Sequence, residues 1–332
     1  MNASETKDNM SDCGIDRNVV ATVLSSLYFL IFVPAFFLNI TVAWILFRLK
    51  TESNFMVYLK NLVVADLIMT LIVPVKAASV LPGALLGLQV FACRFSSVVF
   101  YTCLYVSIVL MALISLDRYF KIVRPCGSTP GQSLLFGRAM SALTWVFLAC
   151  QAVPTMVLSS NRPLDNSPEL CISLKNQEGK DYHKAVVWSM NVLFCVMLVL
   201  IGFCYTCIAR AVVRSYRKSG STNTKGKRKT KAKVFIILAV FLICFAPYHI
   251  IRIPYTAKQV ENKESCTWKY MKVIKQFGLW FSSTNICLDP LIYFFLCKSF
   301  REKLSNFRII LRRFSNTGSG TEEDLSIERI VH

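Results

Sequence analysis

Seven apolar runs, each about 20 residues or longer, divide this chain, and polar stretches rich in lysine, arginine, serine or proline separate them. A helix of that length crosses a bilayer core of about 30 Å. The runs predict spans over about 20–48, 57–82, 92–122, 138–159, 184–212, 232–257 and 269–296, hence an all-α membrane protein, a seven-transmembrane helix bundle. A different pattern follows the last run. In "CKSFREKLSNFRIILRRF", Phe300, Leu304, Phe307 and Leu311 recur at helical spacing among basic residues, which predicts a short amphipathic helix lying on the membrane surface. The chain thus divides into an N-terminal segment 1–19, the bundle 20–296, a juxtamembrane helix 297–314 and a hydrophilic tail 315–332.

Charge orients the bundle. The loop after the first run carries Arg48 and Lys50, and the loop after the third carries Lys121 and Arg124. "RSYRKSGSTNTKGKRKTKAK" after the fifth is the most basic segment, and Lys298, Arg301, Lys303, Arg308, Arg312 and Arg313 follow the seventh. Such residues collect on cytoplasmic loops, so the N-terminus is expected outside and the C-terminus inside. The net charge of +19 is then mostly an inner-face charge. It fits anionic membrane lipids as a partner and, being split among juxtamembrane loops, argues against nucleic acid. The first dozen residues lack an apolar core, so no cleavable signal peptide is expected. Asn2 and Asn9 head glycosylation sequons on the outer side, whereas the sequon at Asn39 lies within the first span.

Of the thirteen cysteines, Cys13, Cys93, Cys171 and Cys266 fall at or near the oxidising face. Four cysteines allow three pairings, of which Cys93–Cys171 with Cys13–Cys266 is preferred. No spacing suggests a metal site.

A bilayer penalises ionisable residues, by about 2.5–3.5 kcal/mol for a central Asp, so those within the runs mark function. They are Lys76 and Asp66 in the second, Asp117 and Arg118 ending the third, His249 and Arg252 in the sixth, and Lys275 and Asp289 in the seventh. His249, Arg252 and Tyr255 stand three apart and stack roughly on one helix face. Lys275 precedes Pro290 by 15 residues, about 22 Å of helix, which puts it at a depth comparable to Arg252. Tyr101 lies about two turns below Cys93, and Lys175 follows Cys171. Together they predict an outward-facing cup with cationic and aromatic walls, suited to an anionic small molecule with a flat ring. Tyr105 offers a further stacking surface. At the other end, Asp117 is expected to hold the neighbouring Arg118 in an ion pair at rest.

These residues carry a family resemblance over essentially the full length. "LVVAD", Cys93, "DRY" (Asp117, Arg118, Tyr119), Trp145, "CFAP" and "DPLIY" stand in order on successive runs, and the chain resembles a rhodopsin-like (class A) G-protein-coupled receptor. "FACRFSSVVFYTCLYVSIVL", "FAPYHIIRIPYT" and "LDPLIYFFLCKSFR" narrow it to the purinergic nucleotide receptors, in particular the Gi-coupled branch that responds to ADP and UDP-sugars. The resemblance implies a plasma-membrane receptor, not an enzyme, that lowers cAMP through a Gi-family heterotrimeric G protein and meets a receptor kinase and arrestin. It implies that Tyr101, Lys175, His249, Arg252, Tyr255 and Lys275 line a nucleotide pocket. Tyr205 and Tyr293 would swing toward Arg118 on activation, with α-helical span six hinging at Pro247, packed on Phe245, and Pro290 following Asp289. No cofactor is implied beyond an allosteric sodium ion held by Asp66, Ser107, Asn285 and Asp289.

Three positions depart from that branch. Gln276 stands where relatives carry Glu, Gln89 where one carries a basic residue, and Val187 where a polar Asn is found. The phosphate end of the ligand is therefore better specified than its base or sugar. An orphan or lysophospholipid-type receptor, whose phosphate head would use the same cations, is the alternative, and a transporter a distant one. The halves show no internal repeat, which counts against an inverted-repeat transporter. Ser283 stands where a light receptor needs its Schiff-base lysine, and three histidines are too few for an intramembrane hydrolase.

Overall fold

The computed structural model describes residues 13–124, 133–164, 170–218, 224–259, 266–297 and 299–305. The sequons at Asn2 and Asn9, the amphipathic helix beyond residue 305 and the tail from 315 lie outside the described residues. Each apolar run is helical: α1 Arg17–Phe47, α2 Asn54–Val80, α3 Leu86–Val123, α4 Leu134–Val157, α5 Gln177–Lys218 and α6 Thr224–Gln259. The seventh, α7, is built of two segments, Cys266–Ser283 and Asn285–Leu296. A short α8, Ser299–Ser305, turns away from α7 by 97°. Its Phe300 is buried against Tyr293, with ring centroids 6.4 Å apart, and Cys297 at the bend is buried beside Met56. Among the described residues six helices are long and apolar enough to cross a membrane, seven with the bent pair taken as one span. No strand occurs among them, only an isolated bridge between Ser159 and Lys175.

Helix ends follow local chemistry. Asp16, Ser53 and Ser133 cap α1, α2 and α4 by accepting from backbone N–H groups of the first turn. α5 and α6 run past the expected 184–212 and 232–257; at the C-terminal end of α5 and the N-terminal end of α6, lysine and arginine favour helix and carry it beyond the apolar stretch. Between Ser283 and Asn285, Thr284 donates its backbone N–H and its hydroxyl to Phe281 O, at 3.1 and 2.7 Å, and breaks the regular ladder.

In lipid the helices gain little from apolar burial alone, so small residues and polar bonds between helices decide the packing. α3 is the central helix, with 72% of its apolar window buried, and α4 the peripheral one, with 17%. Asn39 of α1 donates to Ile286 O of α7 at 2.8 Å, Trp145 of α4 to Asn61 of α2 at 3.1 Å, and Ser282 of α7 to Cys244 O of α6 at 2.9 Å. Gly278 lets α7 come close to α6: a Cβ there would lie 3.2 Å from Tyr248 Cα. Gly278→Val should therefore force the two helices apart and destabilise the bundle by about 2 kcal/mol. A lowered thermal midpoint of the purified protein would register it, and an unchanged midpoint would show that the contact yields freely.

Candidate functional site

The disulfide-bearing end of the bundle opens into a cavity of about 750 Å³. Cys93, near the start of α3, is bonded to Cys171, and Cys13 to Cys266 at the start of α7, so the preferred pairing is the observed one. The first disulfide lays residues 170–175 over the cavity. Backbone bonds from Ser160 N to Leu174 O and from Leu164 N to Ser173 O, both 2.7 Å, hold that strip against the end of α4. Lys175 is thereby pinned, and its Nζ donates to Ser159 Oγ at 3.1 Å. It is 6% exposed, and burial lowers the ammonium's pKa from its ordinary value.

Six lysine and arginine side chains, Arg17, Lys76, Lys175, Arg252, Lys272 and Lys275, line the cavity together with His183, and no Asp or Glu stands among its described lining residues. Aromatic faces separate the cations. The Arg252 guanidinium lies 5.6 Å from the Tyr101 ring and 5.3 Å from the Tyr248 ring. Lys275 Nζ sits 3.6 Å over Tyr255, whose other neighbour is the Trp268 ring at 5.9 Å. Lys76 Nζ lies 3.9 Å from Phe100 and 5.6 Å from Tyr101, and it finds no hydrogen-bond acceptor among the described residues. An electron-rich ring face stabilises a desolvated cation by about 2 kcal/mol without neutralising its charge. Such a wall can pair with an anion of several charges.

Of the residues expected to form the cup, Tyr101, Tyr105, Lys175, Arg252, Tyr255, Lys275 and Gln276 line the cavity, as do Gln89 and Val187. His249 does not. It is 1% exposed, stacked on Phe194 at 3.8 Å, and hydrogen-bonded to Tyr105 Oη at 3.0 Å. Residues three apart drift round a helix of 3.6 residues per turn, whereas the i, i+4, i+7 stripe stays in register. Tyr248, Arg252 and Tyr255 form that stripe and line the wall. The same spacing could have found Tyr248, and Lys272, one turn before Lys275 and Gln276, could have been found likewise. No sequence signal pointed to Arg17.

Midway along the bundle, Asp66, Ser107, Asn285 and Asp289 are all fully buried. Tyr293 Oη donates to Asp66 Oδ2 at 3.1 Å, which ties this tyrosine to the mid-bundle group. Asp66 Oδ1, both Asp289 carboxylate oxygens, Asn285 Oδ1 and Ser107 Oγ find no well-aligned hydrogen-bond partner among the described residues. Five such oxygens together are a donor set that fits a small hard cation and its water.

Near the far end of α3 the expected Asp117–Arg118 ion pair is not formed. Asp117 Oδ2 accepts from Lys121 at 2.9 Å, and the Arg118 guanidinium lies 3.7 Å from the Phe55 ring. Adjacent residues point about 100° apart on a helix while i and i+4 stack, so Lys121 is the better placed cation. Tyr119 packs on Phe203, with centroids 5.9 Å apart, and Tyr205 Oη accepts from Ser115 Oγ at 3.4 Å. Phe245, fully buried, packs on Phe241 in the turn below Pro247. Pro247 and Pro290 both lie inside helices.

Comparison with known proteins agrees with this architecture. The profile described as "7 transmembrane receptor (rhodopsin family)" matches residues 38–293. The chain is 41% identical over 293 residues to purinoceptor 13 of Homo sapiens, covering 88% of this chain and 83% of that one. It is 38% identical over 305 residues to purinoceptor 14 of Bos taurus, covering 92% and 90% respectively. It is also 38% identical over 290 residues to G-protein coupled receptor 87 of Mus musculus, covering 86% and 81%.

Proposed function

The chain belongs to the rhodopsin family of seven-transmembrane receptors, in its purinoceptor group, and from that premise we propose that it is a plasma-membrane receptor for an extracellular nucleotide, ADP or a nucleotide sugar. One observation carries the reading: six lysine and arginine side chains, and no acid among the described lining residues, line one cavity, with tyrosine faces between them. Phosphate supplies the charge that matches these cations, and a base supplies the ring. Each charge-assisted hydrogen bond from Arg or Lys is worth about 1.5–3 kcal/mol, so two or three support micromolar affinity or better. The disulfide-bearing end faces outside, as the lysine and arginine distribution indicates, and the N-terminus lies on that side.

Arg252 and Lys275 sit on α6 and α7, so a diphosphate bridging them draws the outer ends of those helices together. With Pro247 as the bend, the inner end of α6 then moves outward and opens a site beside Arg118 for a Gi-family heterotrimeric G protein, lowering cAMP. Receptor kinase and arrestin act on the inner face afterwards, and α8 lies against the lipid of the inner leaflet. Asp66, Ser107, Asn285 and Asp289 would hold a sodium ion in the resting bundle. An ion kept between α2, α3 and α7 opposes their closer packing, so replacing sodium by N-methylglucamine should raise agonist affinity severalfold. Asp66→Asn should abolish that sensitivity. Equal sodium dependence in the variant would remove the ion from this site.

The direct test is inhibition of cAMP in cells expressing the chain, with and without pertussis toxin, across ADP, ATP, UDP, UDP-glucose and lysophosphatidic acid. A toxin-sensitive response to a nucleotide is expected. A response to lysophosphatidic acid alone would transfer the same cations to a lipid phosphate, and silence to every nucleotide would end the nucleotide reading.

A further inference from the structure

His249, expected on the cavity wall, is buried behind it in a hydrogen-bonded chain whose direction can be assigned. Its Nδ1 lies 2.8 Å from Phe245 O. A carbonyl only accepts, so Nδ1 carries the hydrogen. Arg252 Nη1 donates to Tyr105 Oη at 2.6 Å, and Tyr105 turns its own O–H toward His249 Nε2 at 3.0 Å. The run Arg252, Tyr105, His249, Phe245 O thus starts on the cavity wall, crosses from α6 to α3 and returns to α6 at the turn containing Pro247. Pro247 lacks an N–H, so the helix is weakest there, and the neighbouring Cys244 carbonyl is held by Ser282 of α7.

We infer that His249 is a positioning residue that couples occupancy of Arg252 to the bend at Pro247, through Tyr105, and makes no contact with the ligand. The inference rests on the reading above that Arg252 takes up the ligand's phosphates. An anion that turns Arg252 away from Tyr105 removes one end of the chain. Tyr105 and His249 then lose their fixed orientation, and the tie between α3 and α6 beside the bend is released. Breaking the chain by mutation should mimic that release.

Three substitutions separate the contributions. Tyr105→Phe removes the hydroxyl alone. His249→Phe keeps a ring on Phe194 and loses both hydrogen bonds. His249→Asn keeps donation to the carbonyl four residues back, as Asn39 to Ala35 O at 3.0 Å and Asn61 to Val57 O at 2.9 Å do here, but is too short for Tyr105. Radiolabelled ADP binding and GTPγS loading of purified Gi heterotrimer would be measured for each. ADP affinity should stay within about twofold of wild type in both His249 variants, while basal loading rises about fivefold in all three. The Tyr105→Phe/His249→Phe double variant should match the singles, since both remove one linkage. Loss of ADP affinity by tenfold or more with unchanged basal loading would make His249 a ligand contact and overturn the proposal. Additive effects would overturn it too. Hydrogen exchange of the ligand-free protein over residues 240–250 needs neither ligand nor G protein. It should quicken equally in the singles and the double. A wild type that fails to bind ADP would sink the nucleotide reading, and hydrogen exchange would still decide the coupling.

Discussion

Arg252→Ala should lower ADP potency about a hundredfold. The guanidinium presents five donors in a planar fork, and removing two charge-assisted bonds to phosphate costs about 3 kcal/mol, which is two decades of affinity. Arg252→Lys keeps the charge but not the fork, and a loss of about tenfold is expected from it. Potency in the cAMP assay, normalised to receptor at the cell surface, is the measurement. Lys275→Ala should fall in the same direction, because Lys275 faces the same cavity from α7. Potency unchanged in both variants would move the ligand away from this wall. The pattern also separates phosphate recognition from ring recognition: Tyr101→Ala should weaken a nucleotide and leave inorganic pyrophosphate competition intact.

The second large effect is expected at the disulfide over the cavity. Cys93 and Cys171 are 78 residues apart in sequence, and closing such a loop contributes about 4.5 kcal/mol in the chain-entropy picture. A membrane-inserted unfolded chain is already restricted, so this is an upper figure. The local consequence is larger than the global one. Without the bond, the strip from Leu170 to Lys175 loses its anchor on α3, and Lys175 loses its place beside Ser159. Cys171→Ser should therefore abolish high-affinity ADP binding and reduce surface expression, and the Cys93→Ser/Cys171→Ser pair should be no worse than either single variant. Cys13→Ser should be milder, because the strip over the cavity remains tied. Radioligand binding beside surface labelling distinguishes the two, and full binding in Cys171→Ser would show that the backbone bonds at Ser160 and Leu164 suffice.

Apolar runs of membrane length, lysine and arginine between them, and charged residues inside them are enough to determine an all-α bundle, its seven spans and the neighbourhood of its cavity. These depend on period, length and composition along one helix, which the sequence displays. The ordered motifs "DRY", "CFAP" and "DPLIY" are enough for the family. What neighbours what across helices is settled only in three dimensions. A three-residue count puts His249 beside Arg252 on the wall, yet the true stripe runs through Tyr248, because helical drift of a few tens of degrees decides whether a side chain meets the cavity or the next helix. Adjacency in sequence suggests Asp117 with Arg118, and the fold pairs Asp117 with Lys121 one turn on. That Tyr293 of α7 meets Asp66 of α2 is likewise visible only in the folded bundle. The sequence by itself determined which helices exist and which residue types they bring into the membrane. Rotation of each helix about its axis, set by small residues such as Gly278 and by bonds such as Asn39 to Ile286 O, decided which of those residues face one another.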